Sequence, residues 1–319
     1  MSDDHPHTRQ LLVARPRGFC AGVERAIATV EHLLDVVEGP LYVRKEIVHN
    51  RAVVDDFVRR GVIFVEELDE VPDGRTVIFS AHGVSPEVRD EAVRRGLRVV
   101  DATCPLVTKV HRQVARNVAQ GRHILLIGHE GHDEVVGTMG EARGNITLIT
   151  SEADATGLAI PANAEPYYVT QTTLSVDETE GIIAELKRQR PGIAGPQHSD
   201  ICYATQNRQD AVKALVAAGI ERLLVVGSPN SSNSMRLCEV ARKAGVPADL
   251  VGGLADLPHA QLSGTAKVGL TAGASAPEYL VEEIVADFLV KGWESRDYVV
   301  MKEDIKFDLP AELHGQPRS

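Results

Sequence analysis

Residues 11–34, LLVARPRGFCAGVERAIATVEHLL, pass from an apolar, β-prone run through a cysteine into a segment with helical periodicity. The pattern returns at 97–119, LRVVDATCPLVTKVHRQVARNVA, and at 199–219, SDICYATQNRQDAVKALVAAG. Cys20, Cys104 and Cys202 therefore hold the same place in three similar units, each expected between a strand and a helix. Three thiols carried by three units meet at one point only if the units surround it. A metal cluster with three protein ligands needs that arrangement.

The repeat extends beyond the cysteines. After each cysteine-led helix comes a strand and a polar loop: LYVRKEIVHN with His49, HILLIGHEGHDE with His132 and Glu134, and RLLVVGSPNSSNS with Ser231, Ser232 and Asn233. The spacing is 29 residues from Cys20 to His49, 28 from Cys104 to His132 and 29 from Cys202 to Ser231. A second strand and loop follow in each third: TVIFSAHGVSP with His82, YYVTQTTLS with Thr172, and KVGLTAGASAP with Ser275. Ser, Asp and Pro then open further helices, as N-cap and first-turn residues do.

Short apolar strands alternating with longer helices indicate βαβ units and a parallel sheet. The expected fold is α/β, with three similar small domains at 10–104, 105–201 and 202–295 and a C-terminal tail at 296–319. In such sheets ligands bind beyond the carboxyl ends of the strands. Every cysteine and every polar loop lies at such an end, so the loops are expected to line one central cavity.

Composition narrows the function. The net charge is −11 with no Lys/Arg-rich block, and aromatics make up only 4%, which argues against nucleic acid and anionic membrane as partners. No apolar run approaches the ~20 residues that span a bilayer. MSDDHPHTRQ lacks the layout of a signal peptide, so a cytoplasmic location is expected. Thiols stay reduced there, and widely spaced cysteines favour a metal or catalytic role over disulfides.

No CxxC occurs, which removes zinc-ribbon and ferredoxin-type runs. Cys238 lies inside a helical stretch without counterparts and reads as a small core residue. The other three sit at helix starts, where a thiol's pKa falls toward the thiolate a metal requires. Three thiolates suit a [4Fe–4S] cluster with one open iron, able to polarise a substrate oxygen and carry electrons. A zinc site with three cysteine ligands remains the competitor, although the HxE…PCxxC deaminase pattern is absent.

His49, His82 and His132 with Ser231, Ser232, Asn233 and Ser275 form a set rich in donors and poor in fixed charge, suited to a diphosphate. Any one histidine alone reads as an ordinary surface or core residue; the recurring placement supports a site. Neither a Walker loop nor a strand-following GxGxxG appears, so electrons are expected from a separate protein. Glu134 is the carboxylate beside a ring histidine and a candidate general acid, with Thr172 to orient its proton. It also reads as an ordinary first-turn acid, and the two readings are compatible.

RGFCAGVERAI, VDATCPLV, IGHEGHDEVVGTMGE, TQTTLSVDET, DICYATQNRQ, GSPNSSNS and TAGASAP together resemble the 4-hydroxy-3-methylbut-2-enyl diphosphate reductase family, through nearly the whole chain. The resemblance implies a pseudo-threefold trefoil of three α/β domains around a [4Fe–4S] cluster held by Cys20, Cys104 and Cys202. It implies the last step of the non-mevalonate isoprenoid pathway: two-electron, two-proton reductive dehydroxylation to isopentenyl and dimethylallyl diphosphate. His49, His82, His132, Ser231, Ser232, Asn233 and Ser275 match the diphosphate ligands, Glu134 the proton donor and Thr172 its assistant. The same likeness implies ferredoxin or flavodoxin as electron donor and leaves monomer or homodimer open. Asp133 stands where proline often occurs in the family and is expected to change the loop little. An aconitase-like dehydratase, needing no reductant, and a non-enzymatic iron–sulfur sensor are the alternatives.

Overall fold

The computed structural model describes residues 9–158, 160 and 164–313. Most of the N-terminal stretch read for a targeting signal, and the last six residues of the expected tail, lie outside these. The strands are β1 (Gln10–Arg15), β2 (Leu41–Arg44), β3 (Val62–Val65), β4 (Thr76–Phe79), β5 (Arg98–Asp101), β6 (His123–Ile127), β7 (Ile146–Ile149), β8 (Pro166–Thr170), β9 (Arg222–Val226), β10 (Ala248–Val251), β11 (Lys267–Ala272) and β12 (Glu294–Val299). The helices are α1 (Ala21–Val36), α2 (Arg51–Arg59), α3 (Pro86–Arg94), α4 (Pro105–Ala119), α5 (Asp133–Gly140), α6 (Glu152–Thr156), α7 (Val176–Gln189), α8 (Tyr203–Ala217), α9 (Ser232–Lys243), α10 (His259–Leu262) and α11 (Glu278–Val290).

The chain forms two compact units. The first comprises residues up to Cys20, His49–Val53 and Tyr203–Ile305; the second comprises Ala21–Val48, Val54–Cys202 and residues from Lys306 on. The first unit holds one parallel sheet in the order β10-β9-β11-β1-β12. Alternate residues of β1 enter different cores: Leu11 and Val13 pack with Leu270, Val281 and Ile284, while Leu12 and Ala14 pack with Val212, Leu215 and Leu237. A strand covered on both faces needs an unbroken apolar run, and QLLVAR supplies one.

The second unit holds two parallel sheets, β3-β2-β4-β5 and β7-β6-β8. Here β6 divides in the same way, with Leu125 and Ile127 in one core and Ile124 and Leu126 in the other. Burying each of these aliphatic side chains contributes about 1.5–3 kcal/mol.

All three sheets share one plan. The first strand of each repeat (β2, β6 or β9) is flanked by the second (β3, β7 or β10) and the third (β4, β8 or β11). In the β2–β4 and β9–β11 sheets the connections from the first and third strands lead to opposite sides, to β3 and β5 and to β10 and β12, which makes the gap between their carboxyl ends a topological switch point; in the three-stranded sheet β8 is the edge. The two polar loops of each repeat issue from that pair of ends. The α/β class and the parallel sheets therefore agree with the sequence reading.

Ownership of the strands differs from it. β1 was expected with the first third, yet it pairs with β11 and β12 of the last. β5, ahead of Cys104, edges the β2–β4 sheet; β1, ahead of Cys20, lies beside β11. Cys104 thus follows the edge strand of the sheet that precedes it in the chain, and Cys20 follows an inner strand of the last sheet, between β11 and β12. β12 overruns the expected boundary at 295, because ESRDYV is a largely exposed edge strand with little apolar signal. Cys202 follows no strand; only an isolated parallel bridge joins Tyr167 to Ala194. Pro196 and its polar neighbours carry no strand pattern there, and the buried Asp200 carboxylate instead accepts from the Thr170 N–H at 3.4 Å. The strands β3, β7 and β10 complete each repeat and were not anticipated.

Candidate functional site

The three recurring cysteines form no disulfide and are half-buried, and α1, α4 and α8 begin at the residues that follow them. Each donates its backbone N–H to the second residue beyond a sheet's third strand. Cys20 bonds the Ala274 carbonyl at 3.2 Å, Cys104 that of Ala81 at 3.0 Å and Cys202 that of Thr172 at 3.0 Å. Accessible thiols at helix starts are a donor set that fits a thiophilic metal. Cys238 differs in every respect: it packs against Leu237, Ala241 and Val225, and burial pushes its thiol up to about 11.

In the first unit, a hydroxyl cluster lies at the β9/β11 switch point. Ser231 caps α9, its Oγ accepting from the Ser234 N–H at 3.4 Å and from Ser234 Oγ at 3.0 Å. Ser275 Oγ donates to the His49 carbonyl at 2.9 Å and lies 3.4 Å from Ser231 Oγ. Asn233 Oδ1 accepts from the Ala274 N–H at 2.9 Å, and its Nδ2 donates to Thr205 Oγ1 at 3.3 Å. Ser232 is the first residue of α9. The structure thus gathers His49, Ser231, Asn233 and Ser275, with Ala274 linking this cluster to the Cys20 backbone.

Ser234 and Thr205 were missed by the sequence reading. Any Cβ at Gly227 or Gly273 would stand 2.3 Å or 1.9 Å from Ser234 Oγ, so two glycines clear the space this hydroxyl fills. GSPNSSNS contains the signal, but nothing in its order singles out the last serine.

In the second unit, the expected residues form one continuous chain. His132 caps α5, and its Nδ1 accepts from the Glu134 N–H at 3.2 Å. In a neutral ring the proton therefore sits on Nε2, which is left as a donor. The His82 and His132 rings meet edge to face at 6.0 Å, and His82 Nδ1 lies 3.2 Å from Ser80 Oγ. Glu134 Oε1 accepts from the Thr172 N–H at 2.6 Å, and Oε2 accepts from Thr172 Oγ1 at 3.0 Å. The Thr172 carbonyl then meets Cys202, and Ala81, beside His82, meets Cys104.

Glu134 is 2% exposed. Burial raises its pKa from 4.5 to about 7, the Thr172 bonds pull it down, and nearby Asp200 pushes it up. It belongs to the first turn of α5, so the structural and the chemical readings of this acid hold together. Asp133 is the first residue of that helix, a position where an acid or a proline fits equally well. Gln171, also unanticipated, ties the two loops together: its Oε1 accepts from the His129 N–H at 3.0 Å, and its Nε2 donates to Thr173 Oγ1 at 2.8 Å.

A cation five or six residues after each cysteine reaches the segment before another. Arg25 Nη1 donates to the Thr103 carbonyl at 2.9 Å, ahead of Cys104. Lys109 Nζ meets Asp200 at 3.3 Å, ahead of Cys202. Arg208, fully buried, donates to the Gly18 carbonyl at 2.7 Å and the Phe19 carbonyl at 3.3 Å, ahead of Cys20, and pairs with Glu303 at 3.0 Å. The approach to each thiol is thus held by a side chain of the helix that follows a different cysteine.

The LytB protein family model matches residues 11–289. The chain belongs to this family. It is 54% identical over 305 residues to the 4-hydroxy-3-methylbut-2-enyl diphosphate reductase of Azoarcus sp. (strain BH72), covering 95% of this chain and 97% of that protein. The reductase of Pseudomonas aeruginosa (strain LESB58) is 53% identical over 311 residues, with 95% and 98% covered. Among solved structures, the E-1-hydroxy-2-methyl-but-2-enyl-4-diphosphate reductase of Plasmodium falciparum superimposes with a TM-score of 0.91 at 39% identity, covering 95% of this chain and 96% of that one. As a LytB family member the chain carries the recurring cysteines within the matched span, and Cys238, though also inside it, remains a core residue.

Proposed function

We propose that this chain is an iron–sulfur oxidoreductase that converts 4-hydroxy-3-methylbut-2-enyl diphosphate to isopentenyl and dimethylallyl diphosphate, the last step of the non-mevalonate isoprenoid pathway. The carrying observation is Glu134: a buried acid poised at about 7, locked to Thr172 and capped by His132, in a chain of this family. An acid with that pKa holds its proton in a large fraction of molecules at neutral pH and can also release it.

We assign Cys20, Cys104 and Cys202 as ligands of a [4Fe–4S] cluster. When bound, such a cluster carries the electrons and offers, at the iron without a protein ligand, a Lewis acid for the substrate hydroxyl. The chain's own residues do the rest. Ser231, Ser232, Asn233, Ser275 and the three histidines offer donors to the diphosphate, and the N-terminus of α9 adds its dipole. Glu134 gives a proton to the departing hydroxyl, with Thr172 and His132 fixing its orientation. The carbon–oxygen bond breaks, two electrons and two protons enter, and the products are water and the deoxygenated allylic or homoallylic diphosphate. The second proton joins carbon at one end of the allyl system, and that choice separates the two products. A cytosolic setting keeps the thiols reduced.

An anaerobic assay with the hydroxy-allylic diphosphate and a low-potential reductant tests this. Turnover should require the reductant and yield both C5 products. Substrate consumption without a reductant would instead indicate a dehydratase, and a colourless, zinc-loaded active protein would overturn the cluster assignment.

A further inference from the structure

The chain carries 45 acidic against 34 basic residues, yet in one groove of the second unit the charged lining residues are all cationic or histidine. It has a volume of about 730 Å³ and runs along the exposed face of α4, walled by Lys109, Arg112, Arg116, Arg122 and His198, with no carboxylate among the described lining residues. The spacing of Lys109, Arg112 and Arg116 places them on one face of the helix. Lys109 spends part of its charge on Asp200, and Arg122 is held by Asn117 and the Tyr167 ring. Arg112 and Arg116 project into solvent. Concentrated positive potential on an acidic molecule selects strongly for its partner, since the surrounding surface repels the same anionic protein.

The groove also adjoins two thiol-bearing junctions of its unit. Pro105, at one end, follows Cys104 directly in the chain. Lys109 and Gln113 both bond to Asp200, two residues before Cys202, and residues 195–198 of the groove wall lead into that junction. Lys109, Arg112, Arg116, Gln120, Gln197 and His198 of the lining are exposed, and this open cationic rim suits the surface of another protein better than an enclosed small anion. We infer that this groove is the docking surface for an acidic one-electron carrier protein, through which the reductase is charged in two successive encounters. Each encounter oxidises the carrier by one electron, so two oxidised carriers leave per substrate reduced. The inference rests on the reductase reading above, which requires electrons that no nucleotide or flavin motif of this chain supplies.

The test compares holoenzyme with the double variant R112E/R116E under two reductants, an acidic ferredoxin and the small dye methyl viologen. Ferredoxin-driven turnover of the parent should fall steeply with ionic strength, as screening shortens the reach of the groove. The variant should raise the KM for ferredoxin at least tenfold and flatten that salt dependence, with viologen-driven turnover unchanged. An unchanged ferredoxin KM would overturn the proposal, and so would equal losses with both reductants, which would mean the arginines serve the chemistry. Loss of a calorimetric binding site for inorganic diphosphate with the ferredoxin KM intact would make the groove a small-anion site and overturn it too. Absence of viologen-driven turnover in the parent would instead count against the reductase reading itself.

Discussion

Glu134 links protonation to stability with a calculable size and sign. Its carboxyl binds a proton more tightly in the folded chain, at about 7, than the ordinary 4.5 expected once unfolded. The folded state therefore gains from protonation. That contribution is complete below pH 4.5, is lost as pH rises through the window to about 7, and is absent above it. At about 1.4 kcal/mol for each tenfold change in proton affinity, the whole effect is roughly 3 kcal/mol, of which roughly 2.5 falls between pH 5 and pH 8. Glu134→Gln keeps the shape and one acceptor oxygen for Thr172 but cannot ionise. Urea unfolding of the metal-free parent and variant at pH 5 and pH 8 isolates the site, because all other groups titrate equally in both. The parent should lose roughly 2.5 kcal/mol more than the variant over that interval. In the loaded enzyme, the same ionisation should make kcat fall as pH rises above about 7, and the variant should bind substrate yet lose turnover. A parent–variant stability difference that stays constant from pH 5 to pH 8 would refute the buried-acid argument, whatever the activity does.

Thr172→Val removes the 3.0 Å hydroxyl bond to Glu134 but keeps the 2.6 Å N–H bond, so the acid should titrate higher and the alkaline limb of kcat should move to higher pH; an unmoved limb counts against the orienting role. Cys238→Ala should leave iron per chain unchanged and cost about 1 kcal/mol in urea unfolding, whereas loss of iron would make this thiol a ligand. Arg208→Met strands the Glu303 carboxylate and two backbone carbonyls, and should cost roughly 3 kcal/mol while speeding the loss of iron to a chelator; parent-like iron retention would mean the Cys20 approach needs no such anchor.

The polar loops and cysteines were legible because their spacing repeats, and residues at strand ends in a parallel sheet face one crevice. Which sheet Cys20 and Cys104 follow was not legible. Parallel strands pair across helical connections, so proximity in sequence says little about order in the sheet; β1, near the start of the chain, pairs with β11 and β12, which lie beyond residue 266. Burial and partners were equally silent. Arg25, Lys109 and Arg208 stand at visible intervals after the cysteines, but a cation on a helix reads as solvated until the carbonyl or carboxylate it meets is known. The poise of Glu134 comes first from burial, then from the opposing Thr172 bonds, with a smaller push from Asp200, a residue distant in the chain and itself buried beside Gln113 and Lys109.

These contacts have a consequence for how the site responds to change. Each recurring cysteine shares a backbone hydrogen bond with the loop that holds Ser275, His82 or Thr172. A polar loop therefore cannot move without pulling on the thiol of its own sheet. In the second unit the linkage is longest, running from Cys104 through Ala81 and His82 to His132, then through Glu134 and Thr172 to Cys202. Substitutions in these polar loops should accordingly disturb metal retention as well as substrate affinity. The disturbance should be greatest where the loop residue also bears on Glu134, because there a single displacement shifts donor, acid and thiol together.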